Sequence, residues 1–129
     1  MKTSSIVIYL LLFSLQLGYA QRYISNKSSV SFFSEAPMEN IEAHNTEGQS
    51  AFDVGTGEIV FRIPIKGFEF KKSLMQEHFN ENYLESEKYP YGTFKGEIAG
   101  YKTDKEGEQS VTASGTMTIH GVEQQLQTE

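Results

Sequence analysis

Apolar and polar residues alternate along four stretches of the chain. In residues 58–65, Ile59, Phe61, Ile63 and Ile65 share one face, while Glu58, Val60, Arg62 and Pro64 share the other. In residues 93–100, Phe94, Gly96, Ile98 and Gly100 alternate with Thr93, Lys95, Glu97 and Ala99. In residues 111–119, Val111, Ala113, Gly115, Met117 and Ile119 alternate with Thr112, Ser114, Thr116 and Thr118. Residues 28–34 repeat the pattern with Val30 and Phe32, and Phe33 adds one apolar side chain to the opposite face. A period of two is the signature of a half-buried strand, and none of these stretches fits the 3.6-residue template of a helix.

Turn-forming residues fall between these stretches. Asn26 and Lys27 are expected to separate a short first strand, residues 23–25, from the second. The V-G-T-G stretch of residues 54–57 and the T-D-K-E-G stretch of residues 103–107 are read as hairpin connections. Further strands are expected at residues 39–45 and 49–53, with Pro37 ahead of them and Gly48 between them. Residues 71–84 break the alternation. There, Leu74 and His78, Met75 and Phe79, and Phe79 and Tyr83 are four apart, which predicts one helix or two short helical turns that stop before Tyr89-Pro90.

Hairpin spacing makes neighbouring strands antiparallel, so the expected plan is an all-β meander with one short helical excursion. An antiparallel sheet with one apolar face must cover that face or curl upon itself. The helix is too short to cover six or more strands, which favours closure or near-closure into an antiparallel β-barrel. The inner face would mix Phe32, Ile59, Phe61, Ile63, Phe94, Ile98, Met117 and Ile119 with Gly96, Gly100, Ala113 and Gly115. From the pattern alone, these large and small residues either interdigitate to fill the interior or leave a slot for one small ligand.

Composition narrows the function. The 129 residues amount to one domain. Residues 1–20 hold Lys2 and no acid, so the remaining 109 carry 10 basic and 17 acidic side chains, a net charge of −7. That balance argues against a nucleic-acid binder, which needs a basic face, and against a polybasic membrane-surface domain. Without cysteine there is no disulfide, no thiolate metal ligand and no Cys nucleophile.

The N-terminus reads as a secretory signal. Lys2 precedes the apolar run Ile6 to Phe13, and Gly18 and Ala20 occupy the −3 and −1 positions of a cleavage after Ala20. Ser14 and Gln16 interrupt that run, leaving it short of the roughly 20 residues of a membrane-spanning helix. The expected domain is therefore residues 21–129, periplasmic or secreted, and not membrane-spanning after cleavage.

Catalytic constellations are not apparent. Nucleophile-elbow, phosphate-loop and H-E-x-x-H patterns are absent. His78 and Glu81 at i, i+3, with His120 from a strand end, have the residue types of a two-His carboxylate centre. Such pairs are common on solvated helices, so no metal, no cofactor and no catalytic residue is assigned.

The order of four blocks resembles a known family. These are Ser28-x-Val30-x-Phe32, Gly57-x-Ile59-x-Phe61, Leu74-Met75-x-x-His78-Phe79 followed by Tyr89-Pro90 and Phe94, and Gly115-x-Met117-x-Ile119-His120-Gly121-Val122. Together they resemble the YceI-like domain, the polyisoprenoid-binding periplasmic proteins. The resemblance implies an extended lipocalin-like barrel whose interior holds an isoprenoid or other long-chain lipid, with no enzymatic activity. Val30, Phe32, Ile59, Phe61, Ile63, Leu74, Phe79, Phe94, Ile98, Met117 and Ile119 would line it, Phe79 acting as a lid. Members of the family continue past the H-G-V block through strands that complete the barrel, whereas this chain ends eight residues after Gly121. The barrel is accordingly expected to lack its C-terminal strands and to expose an edge through which another chain can pair. The reading set beside the lipid carrier is a filled β-domain that contacts another envelope protein.

Overall fold

The computed structural model describes residues 21–129; the leader assigned to residues 1–20 lies outside them. Seven strands form one antiparallel sheet: β1 (Arg22–Ser34), β2 (Ile41–Asp53), β3 (Glu58–Pro64), β4 (Glu69–Phe70), β5 (Tyr91–Ala99), β6 (Thr112–Ile119) and β7 (Val122–Thr128). The ladder runs β1-β2-β3-β5-β6-β7, with β4 paired to β2 off that path. The sheet curves but does not close, since β1 and β7 remain at its edges. It is the all-β meander of the sequence pattern in the form of an incomplete barrel.

The alternation sets the register. Phe61 pairs with Phe94, which pairs with Met117, and Ile63 pairs with Gly92, so the apolar positions of β3, β5 and β6 share one side. Glu58, Arg62, Lys95 and Glu97 fall between them and face the other way, into solvent. Burial on the concave side is thus won by sequence period alone.

Strand boundaries differ from expectation in β1 and β2. Asn26 and Lys27 do not make a turn; β1 runs through them with register shifts between Ser25 and Ser28 and between Ser28 and Val30. The two strands expected at 39–45 and 49–53 are likewise one strand. The bulge explains both. It takes up the extra residues without breaking pairing, and Gly48 opposite it allows the approach, because a Cβ there would lie 2.6 Å from the Ser28 carbonyl oxygen.

Two connections follow the predicted turns. Asp53 caps the β2–β3 hairpin, its carboxylate accepting from the N–H groups of Gly55 (2.9 Å) and Thr56 (3.2 Å). Residues 100–111 join β5 to β6, fastened by the Gln109 side chain to the backbone of Lys102 and Lys105. Strand β7 lies outside the alternating stretches of the sequence. Its turn is the pair His120-Gly121, both at positive φ (53° and 70°), joining Ile119 directly to Val122. Such a left-handed pair matches the twist of a two-residue hairpin, and Gly supplies the second position freely.

The excursion between β3 and β5 starts as a 3₁₀ turn, Ile65–Gly67, touches β2 through β4, and continues as helix α1 (Ser73–His78) into a π-helical turn, Phe79–Tyr83. The Leu84 N–H donates to the Phe79 carbonyl at 2.9 Å, the wide spacing of a π turn. The Ile65 N–H donates to the Pro90 carbonyl at 2.9 Å, so the excursion leaves and rejoins the sheet at one point. Where β3 turns away at Pro64, β2 loses its neighbour, and Asn45 fills the gap. It is 1% exposed, donates to the Pro64 carbonyl at 2.7 Å and accepts from the Glu47 N–H at 2.9 Å. Both ends of its amide are therefore satisfied in a buried place.

Candidate functional site

The excursion folds over one end of the concave face and leaves a cavity of about 400 Å³ beneath it. Val30 and Phe32 of β1, Phe61 and Ile63 of β3, Phe94 of β5, and Met117 and Ile119 of β6 form its walls. Ile65, Phe68, Phe79 and Leu84 close it from the excursion, and Gly92 and Thr93 complete the β5 side. No charged side chain lines it.

Phe79 is the centre of the closure. Its ring stacks on Phe32 (5.7 Å between centroids) and meets Phe68 (5.7 Å) and Phe70 (4.9 Å) at an angle. Phe32 and Phe68 are themselves 5.4 Å apart, edge to face. Offset and edge-on pairs of this kind add roughly 0.5–1.5 kcal/mol each beyond their buried area. The cluster anchors the excursion to β1 and seals that end of the cavity. Among the described residues the buried apolar side chains are Ala43, Ile63, Ile65 and Phe68, and Phe32, Phe70 and Phe79 pack against them.

Gly92 makes room. A Cβ on it would lie 3.3 Å from Ile63 Cγ2 and 3.6 Å from Ile65 Cδ1, in space now open to the cavity. Gly96 and Gly115 act differently. They pair across β5 and β6, and a Cβ on either would overlap the backbone of the other strand, so the two strands approach more closely there than any side chain permits.

Of the eleven residues expected to line a ligand site, the structure brings Val30, Phe32, Phe61, Ile63, Phe79, Phe94, Met117 and Ile119 together around the cavity. Ile59 and Ile98 lie on the same side but further along, level with Gly96 and Ala113. Leu74 is elsewhere, 61% exposed beside Ile41, Phe70 and Tyr83. Turning half-buried Met75 and Phe79 toward the sheet carries Leu74, one residue earlier and about 100° around the helix, to the outside. Ile65, Phe68, Leu84, Gly92 and Thr93 were not foreseen as lining. Ile65 was in fact legible, since it continues the alternation of β3. Phe68 was not, because the 3₁₀ turn before it resets the phase.

The rim near Leu84 is polar. His120 Nε2 and Glu85 Oε2 are 2.6 Å apart, and Tyr89 packs edge-on against the His120 ring at 4.9 Å. The hydrogen bond from His120 holds the Glu85 carboxyl below the usual carboxylate range, and the nearby Lys88 adds to this against partial desolvation. Lys66 pairs with Glu87 on the same rim. His78, Glu81 and His120 do not converge, His120 being committed to Glu85. Among the described residues, no group of three His, Asp or Glu side chains is arranged to hold a metal ion.

Comparison with known proteins agrees with this architecture. The family described as the YceI-like domain matches residues 22–129. A polyisoprenoid-binding domain from Saccharophagus degradans, implicated in plant cell wall breakdown, superposes with a TM-score of 0.64 at 16% identity, over 84% of this chain and 65% of its own. A YceI protein from Campylobacter jejuni gives a TM-score of 0.45 at 18% identity, over 88% of this chain and 55% of its own. The chain thus spans less than two thirds of either structure. No curated protein matches it in sequence.

Proposed function

Since the chain belongs to the YceI-like domain family, we propose that it binds a long apolar ligand, an isoprenoid or related lipid, in the cavity between its sheet and its helical excursion, without acting on it chemically. The observation that carries this reading is the cavity itself, about 400 Å³ of space with wholly uncharged, largely apolar walls that no side chain fills. Pockets for small molecules fall in the range of roughly 300–1,000 Å³ and are mostly apolar. Each square ångström of apolar ligand surface buried there contributes about 25 cal/mol, so affinity would come from chain length more than from polar contacts. The polyisoprenoid-binding neighbour supports the choice of ligand class.

A filled β-domain that serves only as a contact module fits less well, because its aromatic side chains would occupy the interior. Here Phe32, Phe68 and Phe70 gather at one end, around Phe79, while Phe61 and Phe94 stand in the walls and leave the space between them open. The leader pattern of residues 1–20 supports a location in the periplasm or outside the cell, where such a carrier would move or shield lipid. Native mass spectrometry of protein purified from its own envelope is the test. A lipid-sized adduct is expected, and delipidated protein should gain stability when isoprenoid is restored. At a ligand concentration about 100 times Kd the gain is about 2.7 kcal/mol, a rise of several degrees in Tm for a domain of this size. Absence of both adduct and shift sinks the reading.

A further inference from the structure

The face around the cavity carries hydrogen-bonding groups but no charge. Ser50 stands in the same ladder row as Phe61, Phe94 and Met117, the last side chains of the cavity wall. Its hydroxyl is 3.1 Å from that of Ser28, and both serines are half-buried. The next row along the concave face holds Phe52, Ile59, Gly96 and Gly115, again without an acid or base. Acids and bases in these strands, such as Arg62, Lys95 and Glu97, point to the convex side. Beside Leu84, Lys66 pairs with Glu87, His120 is hydrogen-bonded to Glu85, and Lys88 lies over the Tyr89 ring, 5.1 Å from its centre.

We infer that the ligand is an uncharged amphiphile, an apolar tail bearing a neutral hydrogen-bonding head, with the head seated at the Ser28–Ser50 hydroxyl pair. This rests on the proposed function and goes further by naming the head. Two hydroxyls that share one hydrogen bond keep a second O–H to donate and lone pairs to accept, which suits an alcohol, carbonyl or amide. A phosphate or diphosphate at the same place would shed water without meeting a counter-charge, a transfer that is strongly unfavourable, and it would do so on a chain with net charge −6. The cavity also bounds the tail. At roughly 30 Å³ per methylene-sized group, the volume a water molecule takes in the liquid, about 400 Å³ admits about 13 heavy atoms. Longer chains run out over the next row, Phe52, Ile59, Gly96 and Gly115, toward Ile98.

Farnesol, farnesyl diphosphate and the hydrocarbon farnesane, titrated calorimetrically into delipidated protein, separate the possibilities. Farnesol should bind at least about tenfold more tightly than the diphosphate, the equivalent of about 1.4 kcal/mol. The double variant Ser28→Ala, Ser50→Ala should lose the preference for farnesol over farnesane, a change of about three- to tenfold for one hydrogen bond. In case that variant folds poorly, Ser25→Lys gives a second reading. Ser25 is exposed and pairs with Ser50, and a cation there should raise diphosphate affinity. Diphosphate binding as tightly as the alcohol overturns the inference while leaving the carrier reading in place, as does an unchanged preference in the double variant. If none of the three ligands binds, it is the carrier reading that fails.

Discussion

Gly115 shows how much one missing methyl group decides. It faces Gly96 across β5 and β6, and any Cβ would overlap the Lys95 carbonyl and the Gly96 backbone. Backbone cannot yield as a flexible side chain can, so Gly115→Ala is expected to cost about 1–3 kcal/mol, the range for an overpacked interior. In urea the midpoint should fall with the slope unchanged; an unmoved midpoint would show that the strands separate freely. The sequence displayed both glycines on the inner face, but not that they lie opposite each other. That depends on the register, which is a relation between residues 19 apart. Asn45 is a similar case. It reads as an ordinary polar strand residue, yet it is buried and replaces the ladder that β3 abandons at Pro64.

At the level of elements, the excursion is held at both ends, by the Phe79 cluster on one side and by His120 reaching Glu85 on the other. The second link joins the loop before β5 to the β6–β7 turn, and its pH dependence has a definite sign. A carboxyl whose pKa is depressed in the folded protein contributes its stabilisation at neutral pH and loses it as pH falls through that lowered value. Both partners are well exposed, so the link is a local tether of small energetic weight. Carboxyl NMR should therefore show Glu85 titrating below the usual range, and His120→Gln should move it upward. Identical titrations in the two proteins would remove His120 as the cause. The i, i+4 pattern of residues 71–84 announced the helix, but not the π turn that aims Phe79 inward, nor the outward placement of Leu74. Two i, i+4 rows were visible in sequence, Leu74–His78 and Met75–Phe79–Tyr83, and only packing against the sheet turns Phe79 inward.

Across the whole molecule, burial is concentrated under the excursion and thins toward the edges, where every residue of β7 is exposed. Strand β5 lies between β3 and β6, with pairing along almost all of its length. Its amides should exchange most slowly with solvent, and those of the 100–111 connection among the fastest, since local opening follows the density of contacts and ladder bonds. Equal protection in β5 and in that connection would contradict a sheet stabilised from its middle. What the sequence determined by itself is the alternation, and with it the all-β class, the uncharged concave side and most of the cavity wall, because side-chain direction in a strand depends only on local period. The H-G pair also encoded the β6–β7 hairpin, through turn chemistry that the alternation reading passed over. The tertiary structure alone decided that the bulge at Ser28 keeps β1 whole, that Phe68 and Leu84 join the wall, and that two serine hydroxyls meet at its edge. Each of these depends on distances between segments far apart in the chain, which are fixed by packing and register and leave no local mark in the sequence.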